Sequence, residues 1–160
     1  MLSITLICVG KLKEPHYIAA CEEYQKRLSA FYKLSVLELP EERLPENPSP
    51  AQITAALAAE GKRIAAKIPS NAAVAALCVE GEEMSSPDFA AAIDKLAVSG
   101  ASHIVFLIGG SFGLAEKAKR LAKWRLSLSP MTFPHHLARV LLLEQLYRAG
   151  QISGGGKYHK

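Results

Sequence analysis

Four short, largely apolar runs, Leu2–Val9, Lys33–Leu39, Ala72–Val79 and His103–Ile108, alternate along the chain with segments of helical period. That alternation constrains the fold more than any other feature. Strands buried on both faces need helices above and below them, which is the signature of a parallel α/β sheet. The run His103–Ile108 is apolar after its first residue and is expected at the centre. A helix is expected from Pro15 to about Ala30, where Ile18, Cys21, Tyr24 and Leu28 recur at spacings of three and four. Ser49-Pro50 and Ser86-Pro87 read as caps followed by proline, opening helices to Lys67 and to about Ser99. A short basic helix is expected over Ala115–Ala122, a short strand over Arg125–Ser129, and a last helix from Pro134 to Arg148. Gly81 is expected to break the third strand and Gly150 to end the last helix. Pro40 to Pro50 is loop-like, crowded with proline and glutamate.

The chain of 160 residues suits one domain spanning 1–160. It is too short for a (β/α)₈ barrel, which takes roughly 250 residues. With 49% hydrophobic and 21% charged residues it can bury a core. Charge is unevenly spread. Residues 1–100 carry 10 Lys/Arg and 13 Asp/Glu, net −3, whereas residues 101–160 carry 9 and 2, net +7. A basic C-terminal third favours an anionic partner. Cys8, Cys21 and Cys78 are odd in number and widely spaced, so they read as reduced core residues. No zinc-ligand spacing is present. The N-terminus has no basic n-region and no apolar run approaches the ~18 residues needed to span a bilayer, so a cytoplasmic protein is expected.

In a parallel sheet, ligands sit beyond the carboxyl ends of the strands. Those ends are Gly10, Val79-Glu80-Gly81, Gly109-Gly110 and Ser129-Pro130. The first strand is not followed by GxGxxG, and there is no P-loop. Gly109-Gly110-Ser111-Phe112-Gly113 matches GxSxG between a strand and a helix, and the order Ser111, Glu144, His159 permits a hydrolase triad. The simpler account is that the glycines let the backbone approach a ligand or another segment closely. At the C-terminus, Lys157-Tyr158-His159-Lys160 places a phenol, an imidazole and two amines behind three glycines. Such groups stack on bases, pair with phosphate and move protons. His135 and Arg139, at the start of the last helix, are candidates to face the pocket of the glycine loop. Trp124 and Phe133 read first as packing residues.

Several segments recur together: Leu107-Ile108-Gly109-Gly110, Leu126–Ser129, Thr132-Phe133-Pro134-His135 with Arg139-Val140, Glu144–Ala149, and the terminal Tyr158-His159-Lys160. As a set, over the whole chain, they resemble the RlmH family of ribosomal RNA methyltransferases, the YbeA-like group of the SPOUT superfamily. The resemblance implies a parallel-sheet α/β/α sandwich with a C-terminal trefoil knot. It implies a homodimer that binds S-adenosyl-L-methionine and methylates N3 of a pseudouridine in 23S rRNA within the ribosome, with no metal and no membrane. By position, the cofactor contacts would be Leu77, Gly109, Leu128, Ser129, Pro130, Met131, Thr132 and Phe133. The catalytic candidates would be His159 or Tyr158 for the N3 proton, with Arg139 and Lys160 for phosphate or developing negative charge. Ser111-Phe112 departs from the family's usual proline or alanine followed by an acid, which argues that Ser111 is incidental. Two other classes remain open on the residues alone, a serine hydrolase using Ser111 and a non-enzymatic ribosome-binding factor.

Overall fold

The computed structural model describes all 160 residues. In chain order the elements are β1 (Ser3–Val9), α1 (Pro15–Leu28), β2 (Lys33–Leu39), α2 (Pro50–Lys67), β3 (Ala73–Glu83), α3 (Ser86–Val98), β4 (His103–Ile108), α4 (Glu116–Lys119), β5 (Trp124–Ser127) and α5 (His135–Ser153). The five strands form one sheet in the order β2-β1-β4-β3-β5, and every pairing is parallel. As the apolar run predicted, β4 is central, and Ile104 to Ile108 are all buried.

Side chains alternate between two cores because the strand period is two. Ile4, Leu6, Ile104, Phe106 and Ala75 point to the face covered by α1, α3 and α5. Ile7, Val9, Val105, Leu107 and Ala76 point to the smaller core, with Ile64 of α2 and Ala118 of α4 buried on that side. The result is the expected α/β/α sandwich. Its connectivity is compatible with the trefoil knot implied by the resemblance. Trp124 packs against Phe89 and Phe106, with ring centroids 5.7 and 6.0 Å away, so its packing role holds.

Ser49 caps α2 through a complete capping box with Gln52. The cap of α3 is Ser85 rather than Ser86, because the Ser85 side chain accepts the Asp88 N–H at 3.2 Å. Two glycines do not end their elements. Gly150 lies inside α5, and a Cβ there would come within 2.6 Å of the Phe31 ring, so the residue is small for packing rather than for a turn. β3 continues past Gly81 to Glu83, with a break in register: Leu77 and Glu82 both face Leu126 of β5. Cys78, Val79, Glu80 and Gly81 form the intervening bulge. A Cβ on Gly81 would lie 2.8 Å from the Arg125 and Leu126 backbones. Glycine here permits the sheet to close again rather than breaking it.

Gly81→Val should therefore cost about 1–3 kcal/mol of stability through overpacking against main chain that cannot step aside. Thermal or urea unfolding of the full chain measures it. A variant as stable as wild type would show that the β3–β5 contact is loose.

Candidate functional site

The bulge of β3 and the carboxyl ends of β4 and β5 converge on a cavity of about 550 Å³. That volume is in the range of small-ligand sites. β3 contributes Leu77 and, from its bulge, Cys78, Val79 and Glu80; the glycine loop contributes Gly109 to Ser111 and Gly113, and the β5–α5 segment contributes Leu128, Ser129 and Met131 to Pro134. Seven of the eight cofactor residues expected by position line the cavity together. Pro130 does not, although it sits between two that do. Cys78 is half-buried in the cavity wall rather than in the core, because the bulge turns it outward. Phe133, read first as packing, is also part of this wall.

The two loops owe their shapes to different causes. The glycine loop doubles back, with Gly110 and Gly113 bridged and the Gly113 N–H donating to the Gly110 carbonyl at 3.0 Å. A Cβ on Gly109 would lie 2.3 Å from the Gly113 backbone, so Gly109 is required by the loop's own fold. Gly113 has φ +78°, the left-handed region. The β5–α5 segment is held by its serines. Ser127 Oγ donates to the Ser129 carbonyl at 3.1 Å, and Ser129 Oγ accepts the Met131 N–H at 3.0 Å. The N–H groups of Leu128, Thr132 and Phe133 have no acceptor within the chain. Free main-chain donors beside Leu77, Ile108, Leu114, Leu128 and Phe133 give an apolar slot with polar edges. That donor set fits an adenine ring and its attached sugar. Lys119, in the same wall, is ion-paired with Glu80. No group of three or more His, Cys, Asp or Glu side chains is arranged to hold a metal ion, and no helix is long and apolar enough to cross a membrane.

At the start of α5, His135 lines the cavity, and burial, with His136 nearby, lowers its pKa. Its neighbour His136 pairs with Glu14 at 3.2 Å. Arg139 does not line the cavity. It is buried, with 3% exposure, and its Nη1 donates to Glu38 Oε2 at 2.8 Å and its Nη2 to the Gly10 carbonyl at 3.3 Å. Glu38 also accepts the Leu12 N–H at 2.9 Å. Arg139 thus ties α5 to the ends of β1 and β2, behind the site rather than in it.

The tail lies elsewhere in the same chain. Tyr158 Oη donates to Glu144 Oε2 at 3.1 Å, its ring sits under the Arg148 guanidinium at 4.7 Å and packs edge-on to Tyr147. His159 Nδ1 is 3.1 Å from Arg148 Nη1. Lys160 is exposed. At 1.5 Å rise per residue, Glu144 and Arg148 are roughly 14 to 20 Å along α5 from His135. One chain therefore does not bring the tail to the cavity. Nor does it assemble the hydrolase triad, since Glu144 and His159 are bound at Arg148 while Ser111 stands in the glycine loop.

Sequence reasoning missed Cys78, which it placed in the core; it named Val79, Glu80 and His135 on the pocket side, and it also offered Arg139, which the structure keeps out of the cavity. The signal for Cys78 was Gly81, read as a breaker instead of a close-approach residue.

Fold and cavity together define an α/β protein with a cavity of small-ligand size at the carboxyl edge of a parallel sheet. The chain belongs to the SPOUT methyltransferase family, whose model, described as "Predicted SPOUT methyltransferase", matches residues 2–159. It is 46% identical over 159 residues to proteins named ribosomal RNA large subunit methyltransferase H from Bacillus thuringiensis (strain Al Hakam) and Bacillus cereus (strain B4264). The match covers 99% of this chain and 100% of each relative. Among solved structures it resembles a probable methylase family protein from Haemophilus influenzae Rd KW20. There the TM-score is 0.56 at 14% identity, over 100% of this chain and 72% of that one, a likeness of fold.

The Arg139–Glu38 pair makes a stability prediction. Burial alone would raise the Glu38 pKa, but the Arg139 guanidinium and the Leu12 N–H outweigh it and hold the carboxyl below its usual range. This contribution is complete above the ordinary carboxylate range and is lost as pH falls through the lowered Glu38 value. Arg139→Ala should cost about 2 kcal/mol at pH 7 by leaving Glu38 and the Gly10 carbonyl without their donor. Glu38→Gln should flatten the acid limb of the stability curve. Unfolding curves between pH 3 and 8 test both, and an Arg139→Ala protein of wild-type stability would return Arg139 to the list of purely catalytic candidates.

Proposed function

We propose that this protein transfers a methyl group from S-adenosyl-L-methionine to N3 of a pseudouridine in 23S ribosomal RNA. It works on assembled ribosomes, as a homodimer in the cytoplasm. The observation that carries the reading is the apolar cavity at the carboxyl edge of the sheet, lined by Leu77, Gly109, Leu128, Ser129, Met131, Thr132 and Phe133. It occurs in a chain that is 46% identical, end to end, to proteins named as large-subunit rRNA methyltransferases.

When bound, S-adenosyl-L-methionine supplies an electrophilic methyl group on a sulfonium. The chain's own residues do the rest. Leu77, Leu128 and Phe133 would hold the donor's apolar part and exclude water, and the free N–H groups of Leu128, Thr132 and Phe133 would donate to its polar atoms. The substrate nitrogen carries a proton that must leave, and a positioned acid–base group contributes typically 10²- to 10⁴-fold. Burial, aided by the Glu144 carboxylate, raises the pKa of Tyr158. The phenol therefore stays protonated and suits hydrogen-bond donation. Imidazole is the side chain for proton transfer near neutral pH, which assigns the N3 proton to His159. Lys160 holds phosphate, or negative charge developing on the base. Arg139 supports the site from behind through Gly10 and Glu38. Because the tail and the cavity lie at opposite ends of α5, the tail of one protomer completes the cavity of its partner.

Ribosomes incubated with the enzyme and methyl-labelled donor should gain label at a single 23S pseudouridine, mapped by primer extension and mass spectrometry. No incorporation would overturn the reading. Ribosome association without donor binding would make the protein a non-enzymatic factor, and fluorophosphonate labelling of Ser111 would revive a hydrolase. Truncation after Gly156 should lower kcat by about 100-fold or more while leaving donor binding intact. Undiminished methylation by the truncated protein would remove the tail from the mechanism.

A further inference from the structure

The glycine loop is a thin partition. In front of it lies the cavity just described. Behind it, between the loop, the β2–α2 connection and α2, lies a second space of about 290 Å³, bordered by Glu41, Glu42, Ile53, Glu60 and Phe112. A single side chain hydrogen-bonds residues 109–113: Glu41 Oε1 accepts the Ser111 N–H at 2.9 Å. The same carboxylate lies against the bare face of Gly110, where a Cβ would be 2.7 Å from Glu41 Oε1 and 3.1 Å from its Cδ. Its other oxygen lies over Gly10, 3.5 Å from where a Cβ would stand.

Glu41 is itself firmly mounted. On one side, Arg63 of α2 donates to the Pro40 carbonyl at 3.1 Å. On the other, the buried Glu60 accepts the Glu42 N–H at 2.8 Å, and Arg63 also pairs with the Glu42 carboxylate. Both peptide neighbours of Glu41 are thus fixed to α2, so its carboxylate is presented to the loop from a rigid base. We propose that Glu41 is a positioning residue for the methyl-donor cavity, holding the Gly110-Ser111 peptide from behind so that the wall keeps the shape the donor needs. This rests on the reading that the cavity takes S-adenosyl-L-methionine. Burial would raise the Glu41 pKa, yet the Ser111 hydrogen bonds and the nearby His135 and His136 outweigh it, so the group is charged at neutral pH. A charged acceptor makes the stronger hydrogen bond.

The test uses the full-length protein and three readouts: calorimetric titration with S-adenosyl-L-methionine, amide exchange at Ser111, and the melting temperature. Glu41→Ala should weaken donor binding about ten-fold or more, the scale of one lost charged hydrogen bond, and speed Ser111 exchange. Melting temperature should not move, because the side chain is exposed and outside both cores. Glu41→Gln should recover most of the affinity, since a carboxamide oxygen still accepts the N–H. Gly110→Ala should weaken binding in the wild-type background and cost less beside Glu41→Ala, where the carboxylate it collides with is gone. Wild-type binding with unchanged affinity and unchanged Ser111 exchange in Glu41→Ala would overturn the tether alone. If wild type does not bind the donor, the cavity reading fails, and Ser111 exchange alone then decides whether Glu41 holds the loop.

Discussion

The structure depends on the burial of β4 against helices on both faces. Ile104, Phe106 and Ile108 enter one core while Val105 and Leu107 enter the other, and β1 and β3 pair with it on either side. A strand buried this completely fixes its own register, because a slip of one residue would exchange every side chain between two differently shaped cores. It also fixes where β4 ends, at Ile108, with Gly109 emerging at the sheet's carboxyl edge. The cavity is a consequence of that ending. Its walls are what β4 and β5 leave behind where they stop beside the bulge of β3.

Much of this was legible in the residues. The boundaries of β2, α2 and β4 follow directly from Lys33–Leu39, from Ser49-Pro50 with Gln52, and from the apolar run after His103. These are local signals, and local signals survive folding. What could not be read was the meaning of glycines whose neighbours are distant in sequence. Gly81 and Gly150 carry the same local signature as a strand or helix stop. Their function is set by Leu126 and by Phe31, and no window around either glycine contains those partners. The bulge at Cys78–Gly81 was hidden for the same reason, since it exists only in relation to β5.

The site residues divide along a similar line. The residues that the family resemblance points to come from contiguous segments at strand ends, and seven of the eight line one cavity. Arg139 and the tail were grouped with them by chemistry, as cations and proton carriers. Burial sorts them differently. Arg139 spends both of its terminal nitrogens on Glu38 and Gly10, while Tyr158 and His159 are folded onto Glu144 and Arg148. A charge in a sequence says nothing about whether another part of the chain has already satisfied it. The +7 excess of the last sixty residues is therefore smaller, as seen by a partner, than a count suggests.

At Gly109 and Gly110 the glycine loop has a backbone and no side chains, so there the barrier between the front and rear spaces is a single peptide layer thick. A wall of that kind has no interior in which a disturbance can be absorbed. Whatever occupies one side is felt on the other through the same few N–H and C=O groups. Residues of the β2–α2 connection therefore bear on the shape of a cavity they do not line. Along that connection, tolerance to substitution should follow distance from Glu41 rather than solvent exposure.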